Sequence, residues 1–427
     1  MSRVICTHQH GLPAQLDPMV EYFTMYESSG RPEVHTAGTG ILRDVAALKI
    51  RPTVRAWDFT TFALAVSAAD TALERGGSAD GWTRTIDLSI ALADPQPFSD
   101  CARQLETMLR FLTGDFWTLT FEPDGIPPPQ LRRGHLERRW DADCVSLLSG
   151  GIDSLVGAVD LTANGRHPVF VSQIAKGDTD TQVLYARRME GSNRHLQLNH
   201  NIRFDGSSER STRGRSIVFF AFAALAASTI DHDGELEVFV PENGFISLNV
   251  ALNPGRLGSL STKTTHPVFL DRLQAAWTTL GLVGRLVRPY AFKTKGELLA
   301  ECADQVLVRS LVGESTSCGR FLKYGYRHCG RCVPCQVRRA SFLRAGQNDP
   351  TPTYVYNDLA LAGVSDDAND IGAVAAALLR VEQIGIRSLT AGPLSFATAL
   401  ERPLYEGVAE RGLRELGALL RQHRVLD

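Results

Sequence analysis

The stretch Val145–Gly157, Val-Ser-Leu-Leu-Ser-Gly-Gly-Ile-Asp-Ser-Leu-Val-Gly, constrains this chain more than any other. Val145–Leu148 is an apolar run that reads as a buried strand. Ser149-Gly150-Gly151 breaks it, and Ile152–Ala163 has apolar spacing suited to a helix packed on a sheet. The loop Ser149–Ser154 therefore joins a strand end to a helix N-terminus, where free N–H groups and the positive end of the helix dipole favour an anion. Two glycines let the backbone approach a phosphate, and Ser149 and Ser154 add hydroxyl donors. Asp153 repels phosphate, so its roles are to cap the first turn or to hold Mg²⁺. No Gly-Lys-Ser/Thr follows, so the loop is not a Walker A motif. Taken alone it is also compatible with an ordinary tight turn.

The same alternation continues. Strands are predicted at Val145–Leu148, Val169–Ile174, Leu196–Phe204, Leu236–Pro241 and Arg285–Pro289. Helices are predicted at Ile152–Ala163, Thr179–Arg194, Arg215–Ile230, Pro267–Leu280 and Lys295–Asp304. This pattern predicts an α/β fold, a parallel sheet with helices on both faces, with ligands at the C-terminal strand ends. Leu148–Ser154, Gln173, Lys176, Glu242-Asn243-Gly244, Lys293 and Lys295 all follow predicted strands, so the topology would bring them to one edge.

Residues 1–135 read as a separate α+β domain of mixed strands with a scaffold or partner-binding role. Strand-like alternation is read at Val54–Ala69, Thr85–Leu92 and Phe116–Phe121, a helix at Phe98–Leu112, and a stiff lead-in at Pro127-Pro128-Pro129. Residues 136–345 form the catalytic region. Residues 346–427 read as a helical extension, with amphipathic helices at Ile371–Ile384 and Pro403–His423.

The 427 residues carry a formal net charge of −2, which gives no global case for a nucleic-acid or membrane partner, although local patches such as Arg203–Arg215 sit within that neutral total. Only six basic residues are lysines, and four of them (Lys176, Lys263, Lys293, Lys295) lie between residues 176 and 295, within the catalytic region. Where arginine is the default, a lysine marks a place that needs a compact, flexible charge. Neither a signal-peptide run nor a stretch of transmembrane length is expected, so the default compartment is the cytoplasm.

Cys318 is followed after ten residues by Cys329-Gly-Arg-Cys332-Val-Pro-Cys335. Four thiolates on short loops suit a tetrahedral structural Zn²⁺; an iron–sulfur cluster and bare thiols are the alternatives. His328 adjoins a ligand and reads as a surface residue. Arg320, Lys323, Arg327, Arg331, Arg338 and Arg339 would offset thiolate charge. Cys6, Cys101, Cys144 and Cys302 read as small core residues.

Ser149-Gly-Gly-Ile-Asp153-Ser154 matches the SGGxDS signature of the PP-loop ATP pyrophosphatases. That loop, followed by the C-x10-C-x2-C-x2-C cluster, resembles the QueC family, the 7-cyano-7-deazaguanine synthases. Arg213-Gly-Arg215-Ser216-Ile-Val-Phe-Phe is similar to that family's helix start near the substrate. Phe292-Lys-Thr-Lys295-Gly-Glu-Leu-Leu is similar to its lysine-led helix. The resemblance covers residues 140–345 and implies ATP, Mg²⁺ and Zn²⁺ as cofactors. It also implies adenylation of 7-carboxy-7-deazaguanine with pyrophosphate release, then amide and nitrile formation. Ser149, Asp153, Ser154 and Lys295 would carry the catalysis. Leu148, Gly150, Gly151, Ile152, Gln173 and Lys176 would complete the ATP site. Arg215, Glu242, Asn243, Gly244, Lys263 and His266 would face the substrate, and the four clustered cysteines the metal.

Ser216 stands where the family has Asn, only Ser172-Gln173 remains of a Tyr-Gly-Gln sequence, and Ser261-Thr-Lys-Thr-Thr-His266-Pro replaces an acidic base-reading pattern. ATP chemistry therefore carries over better than substrate identity. The longer layout, with Asn243-Gly244-Phe-Ile-Ser-Leu-Asn inside it, is similar to the QatC family, QueC-like components of bacterial Qat anti-phage defence systems. That likeness implies partners: an ATPase, a small partner protein and a TatD-like nuclease. No glutaminase-like nucleophile is present, so ammonia would arrive free, or the acceptor amine would lie on a partner protein. A housekeeping synthase for queuosine-type tRNA modification, a nucleotide-binding subunit without turnover, and a tRNA-thiolating or other nucleic-acid-modifying enzyme are the competing readings.

Overall fold

The computed structural model describes residues 2–131, 136–174, 177–209, 212–250, 252, 263–360 and 370–427. Ten strands form two five-stranded sheets. The first holds β1 (Ser2–Thr7), β2 (Val20–Met25), β3 (Val34–Ala37), β4 (Thr85–Ala91) and β5 (Phe116–Glu122) in the order β3-β2-β1-β4-β5. The second holds β6 (Cys144–Leu147), β7 (Pro168–Gln173), β8 (His195–Leu198), β9 (Glu237–Phe239) and β10 (Arg285–Val287) in the order β10-β9-β6-β7-β8. Every pairing is parallel. Counted from its own first strand, each sheet has the order 3-2-1-4-5, so the doubly wound arrangement occurs twice.

This corrects the expectation of an N-terminal α+β domain with mixed strands. The main error is Val54–Ala69, read as a strand. It lies in the helix Val54–Ala72, whose residues are nearly all buried, with Trp57, Phe59, Phe62 and Val66 fully so. A helix covered on all sides carries no amphipathic period, and its Thr, Val and aromatic content mimics a strand. Thr60 and Thr61 return their hydroxyls to the carbonyls of Ala56 and Trp57 (2.9 and 3.2 Å), so burial leaves neither unsatisfied. The parallel pairs β1–β2 and β2–β3 are linked by irregular connections instead of α-helices, which hides their parallel sense in the sequence.

In the second sheet the helices Ile152–Ala163 and Pro267–Leu280 lie where the periodicity places them. The predicted strand Leu196–Phe204 stops at Leu198, because the chain beyond leaves to meet the first sheet. There Gly38 N donates to His200 O (2.8 Å), and Thr36 and Arg203 exchange backbone bonds of 3.2 and 2.8 Å. The helix Val54–Ala72 packs on the helix Ser216–Ala227, and one apolar core runs through both sheets from Val4 to Leu282.

A buried charge network reinforces this junction. Arg75 grips both oxygens of Asp115 (2.7 and 3.0 Å), and Arg84 reaches Asp115 Oδ2 (2.6 Å) and Asp70 Oδ1. Asp70 Oδ2 accepts the backbone N–H groups of Arg213 and Gly214 at 2.5 and 2.6 Å, tying the start of the Ser216 helix to the N-terminal half. Burial, followed by the neighbouring Arg75, lowers the Arg213 guanidinium to about 10.

Removing one partner from a buried ion network leaves the others uncompensated. Asp70→Ala is therefore expected to lower unfolding stability by about 3–5 kcal/mol in urea titration. A loss below about 1 kcal/mol, the range of an exposed pair, would contradict the role given to the network.

Candidate functional site

The loop Ser149–Ser154 leaves the C-terminal end of β6, the central strand of the second sheet, at the point where strand order reverses. Gly150 takes a φ of +93°, which a residue with a Cβ adopts only under strain. Gly151 is the N-cap of the helix Ile152–Ala163, and no side chain caps that end. Its first-turn N–H groups therefore face the loop without an intrahelical acceptor. Ser149 Oγ lies 3.1 Å from Ser154 Oγ, and Ser154 Oγ donates to Gly151 O at 3.0 Å, so the two hydroxyls bracket the turn.

Asp153 does not cap the helix. Its side chain is buried and accepts three hydrogen bonds: from Lys295 Nζ at 2.7 Å, Asn243 Nδ2 at 2.7 Å and Asn243 N at 3.2 Å. Although burial opposes the charge, Lys295 and the hydrogen bonds hold the Asp153 carboxyl below its ordinary range. Glu242 is bonded to it, and burial with the adjoining Asp153 charge pushes the Glu242 carboxyl well up. Asn243 Oδ1 accepts Ile246 N (3.0 Å) and caps the short helix Gly244–Ser247, which fixes the amide that faces Asp153. Gly244 has to be glycine because a Cβ there would lie 2.0 Å from Ala291 O. The ends of β6 and β9 and the segment after β10 thus meet in a lysine, two carboxyls and an amide.

The remaining predicted residues divide. Leu148 is buried, and its carbonyl accepts Ser172 Oγ (2.7 Å). The side chain of Gln173 bonds to His200 Nδ1 (3.2 Å). Lys176, Ser261 and Thr262 lie outside the described residues. Arg215 is exposed at the helix start and near enough to act electrostatically on Asp178 and His200. Lys293 pairs with Glu301 (2.8 Å). Lys263 lies over the Phe111 ring (4.3 Å). His266 caps the helix Pro267–Leu280 by accepting Val268 N (3.2 Å) and packs between Phe111 and Phe396, and burial brings its imidazole down to about 4. The ring thus serves as a helix cap. Its segment touches the Asn243 loop through Ser247 Oγ and Thr265 Oγ1 (3.3 Å).

Gln182, which sequence reasoning missed, and Arg338, which it read only as an offset for thiolate charge, brace the loop. Gln182, buried, donates to Ser149 O (3.1 Å) and Gln173 O (3.2 Å). Arg338, fully buried, donates to Val312 O (3.2 Å), Ser315 O (3.1 Å) and Ser315 Oγ (2.6 Å). It thereby holds the segment whose Thr316 N donates to Gly150 O (3.1 Å). A polar residue inside a helix gives no signal of this in sequence.

The four cysteines converge, all buried, with their sulfurs within 4.8 Å of one another. The pairs Cys318–Cys332 and Cys329–Cys335 stand 3.9 Å apart, too far for disulfides. Thiolates about 2.3 Å from a tetrahedral centre stand about 3.8 Å apart, so the sulfurs fit a zinc ion. Backbone N–H groups of Arg320, Cys329 and Cys332 point at sulfur (3.3–3.4 Å), as a thiolate site requires. His328, read as a surface residue, is instead buried and accepts Ser317 N (3.2 Å). Among the described residues no helix is long and apolar enough to cross a membrane.

Together these features define an α/β protein with a glycine loop at an uncapped helix N-terminus and a buried cluster of four cysteines that could hold a metal ion. The chain is 41% identical over 66 residues to 7-cyano-7-deazaguanine synthase from Agrobacterium fabrum strain C58, a match over 16% of this chain and 25% of that enzyme. The chain thus spans about a quarter of the length of that curated relative, which supports a QueC-like relationship over that segment. No family model and no solved structure matches it.

Purified protein is expected to carry about one zinc per chain by elemental analysis, and Cys332→Ser to lose most of it, because one missing thiolate opens the tetrahedron. Metal-free wild-type protein, or a variant with undiminished zinc, would overturn the assignment.

Proposed function

We propose that the chain is an ATP-dependent acyl-adenylating enzyme of the PP-loop type. The observation that carries this reading is the Asp153–Lys295–Asn243 cluster beside the uncapped helix start of Ser149–Ser154. The loop N–H groups and hydroxyls receive the phosphates. Lys295, held at the loop by Asp153, stabilises the charge that grows on the leaving group. A carboxylate oxygen of the acid attacks the α-phosphorus, the bond to the bridging oxygen of the β-phosphate breaks, and pyrophosphate departs with that electron pair. An amine nitrogen then displaces AMP from the acyl carbon. Asp153 and Glu242 offer the hard oxygen donors that Mg²⁺ takes, and that ion would neutralise phosphate charge.

The acid we propose is 7-carboxy-7-deazaguanine or a related deazapurine, and the acceptor is ammonia or an amine on a partner protein. The partial likeness to a synthase supports this substrate class. A place in an anti-phage defence system, with a small partner protein, an ATPase and a TatD-like nuclease, belongs to the same proposal and rests on the long sequence layout. Housekeeping queuosine-type synthesis remains the second reading; the matched segment favours it as much.

Pyrophosphate release from ATP should depend on the added acid, and Lys295→Ala should lower its rate by about 10²–10³-fold, the scale set for a lost charge-stabilising donor. Release that is independent of acid, or unchanged in Lys295→Ala, would refute the mechanism.

A further inference from the structure

The extension 370–427 ends in the helix Arg402–Gln422, to which the sequence assigns no chemistry. That helix grips the segment carrying Lys295. Thr294 caps the helix Lys295–Glu301 in a reciprocal box with Glu297: Glu297 N donates to Thr294 Oγ1 (3.1 Å), and Thr294 N to Glu297 Oε2 (2.8 Å). The Thr294 hydroxyl then donates to Glu415 Oε1, and the Gly296 backbone lies close against the same carboxylate. Lys295 thus sits between two residues held against one buried carboxylate. One turn earlier, Arg411 Nε binds Glu297 Oε1 and its Nη2 binds Phe292 O, both at 2.6 Å.

Two glycines make this approach possible. A Cβ on Gly296 would lie 2.6 Å from Arg344 Cβ and 2.8 Å from Glu415 Oε1. A Cβ on Gly412 would lie 2.3 Å from the ring of Phe245, two residues beyond Asn243. The helix therefore presses on the Asn243 loop as well as on the Lys295 segment, the two elements that supply hydrogen bonds to Asp153.

We propose that the C-terminal helix is a clamp for the reaction site and that Glu415 is a positioning residue for Lys295. Glu415 fixes the backbone on both sides of the lysine, so the ammonium meets Asp153 and the loop in one geometry. Its kinetic consequence rests on the adenylation reading; its structural consequence does not.

The test uses the full-length protein and competitive amine labelling read by mass spectrometry, which six lysines make tractable. Glu415→Ala should raise labelling of Lys295 several-fold relative to Lys49, since the ammonium is released from a buried pair. Glu415→Gln, which keeps an acceptor oxygen, should stay near wild type. In the pyrophosphate assay Glu415→Ala should lose about tenfold or more in kcat with a smaller change in KM, as expected when a catalytic group is displaced by a fraction of an ångström. Should Glu415→Ala fail to fold, seen as loss of a cooperative transition in urea titration, Glu415→Asp withdraws the carboxylate by one methylene and is read in the same way. Lys295 labelling unchanged in a folded Glu415→Ala or Glu415→Asp protein overturns the proposal. Labelling that rises in a protein whose wild type releases no pyrophosphate sustains the clamp and rejects the adenylation reading.

Discussion

The ion pair between Lys295 and Asp153 is the interaction on which the site depends. Both side chains are largely withdrawn from water, 11% and 6% exposed. A buried carboxylate is costly unless its oxygens are satisfied. Here the satisfying groups come from the ends of β6 and β9 and the segment after β10, so the doubly wound strand order is a precondition for the pair. Glu242 adds a second carboxyl at the same place. Burial, together with the adjoining Asp153 charge, explains why Glu242 holds its proton well above the ordinary range.

The same topology in the N-terminal half does not make the same site. The corresponding crevice lies between the ends of β1 and β4. There the carboxylate of Asp58, fully buried and pushed up to about 6 by burial, accepts the N–H groups of Ala93 and Asp94, both at 2.9 Å. The chain's own carboxylate occupies donors that a ligand would otherwise use. Thr7-His-Gln-His-Gly11 after β1 also lacks the paired glycines of Ser149-Gly-Gly. That half instead contributes a helix face and the Asp70–Arg213 tie to the second sheet.

Much of the second sheet was legible because its strands are short apolar runs bounded by turn formers; the helix Ser216–Ala227, buried nearly all round, still reads as helix through its many alanines. The helix Ile152–Ala163 and the cysteine cluster were legible for the same local reason: spacing alone defines them. The helix Val54–Ala72 was not, since burial on every face erases the period. His266 illustrates a different limit. Its neighbours in sequence suggested a ligand role, while nothing in the spacing announces the N-cap and the two ring contacts that the imidazole makes. Gln182, Arg338 and Glu415 act on Ser149, Ser315 and Thr294 over separations of 33, 23 and 121 residues, beyond any window used to read periodicity.

Transfer of oxygen label tests the central claim most directly. The acid, labelled with ¹⁸O in its carboxylate, is incubated with ATP, and the nucleotide product is analysed by mass spectrometry and ³¹P NMR. An acyl-adenylate predicts AMP that carries one ¹⁸O from the acid, with unlabelled pyrophosphate, because the attacking oxygen stays on the α-phosphorus when nitrogen displaces it. ADP as product, or label in inorganic phosphate with none in AMP, would show that the loop directs a different phosphoryl chemistry.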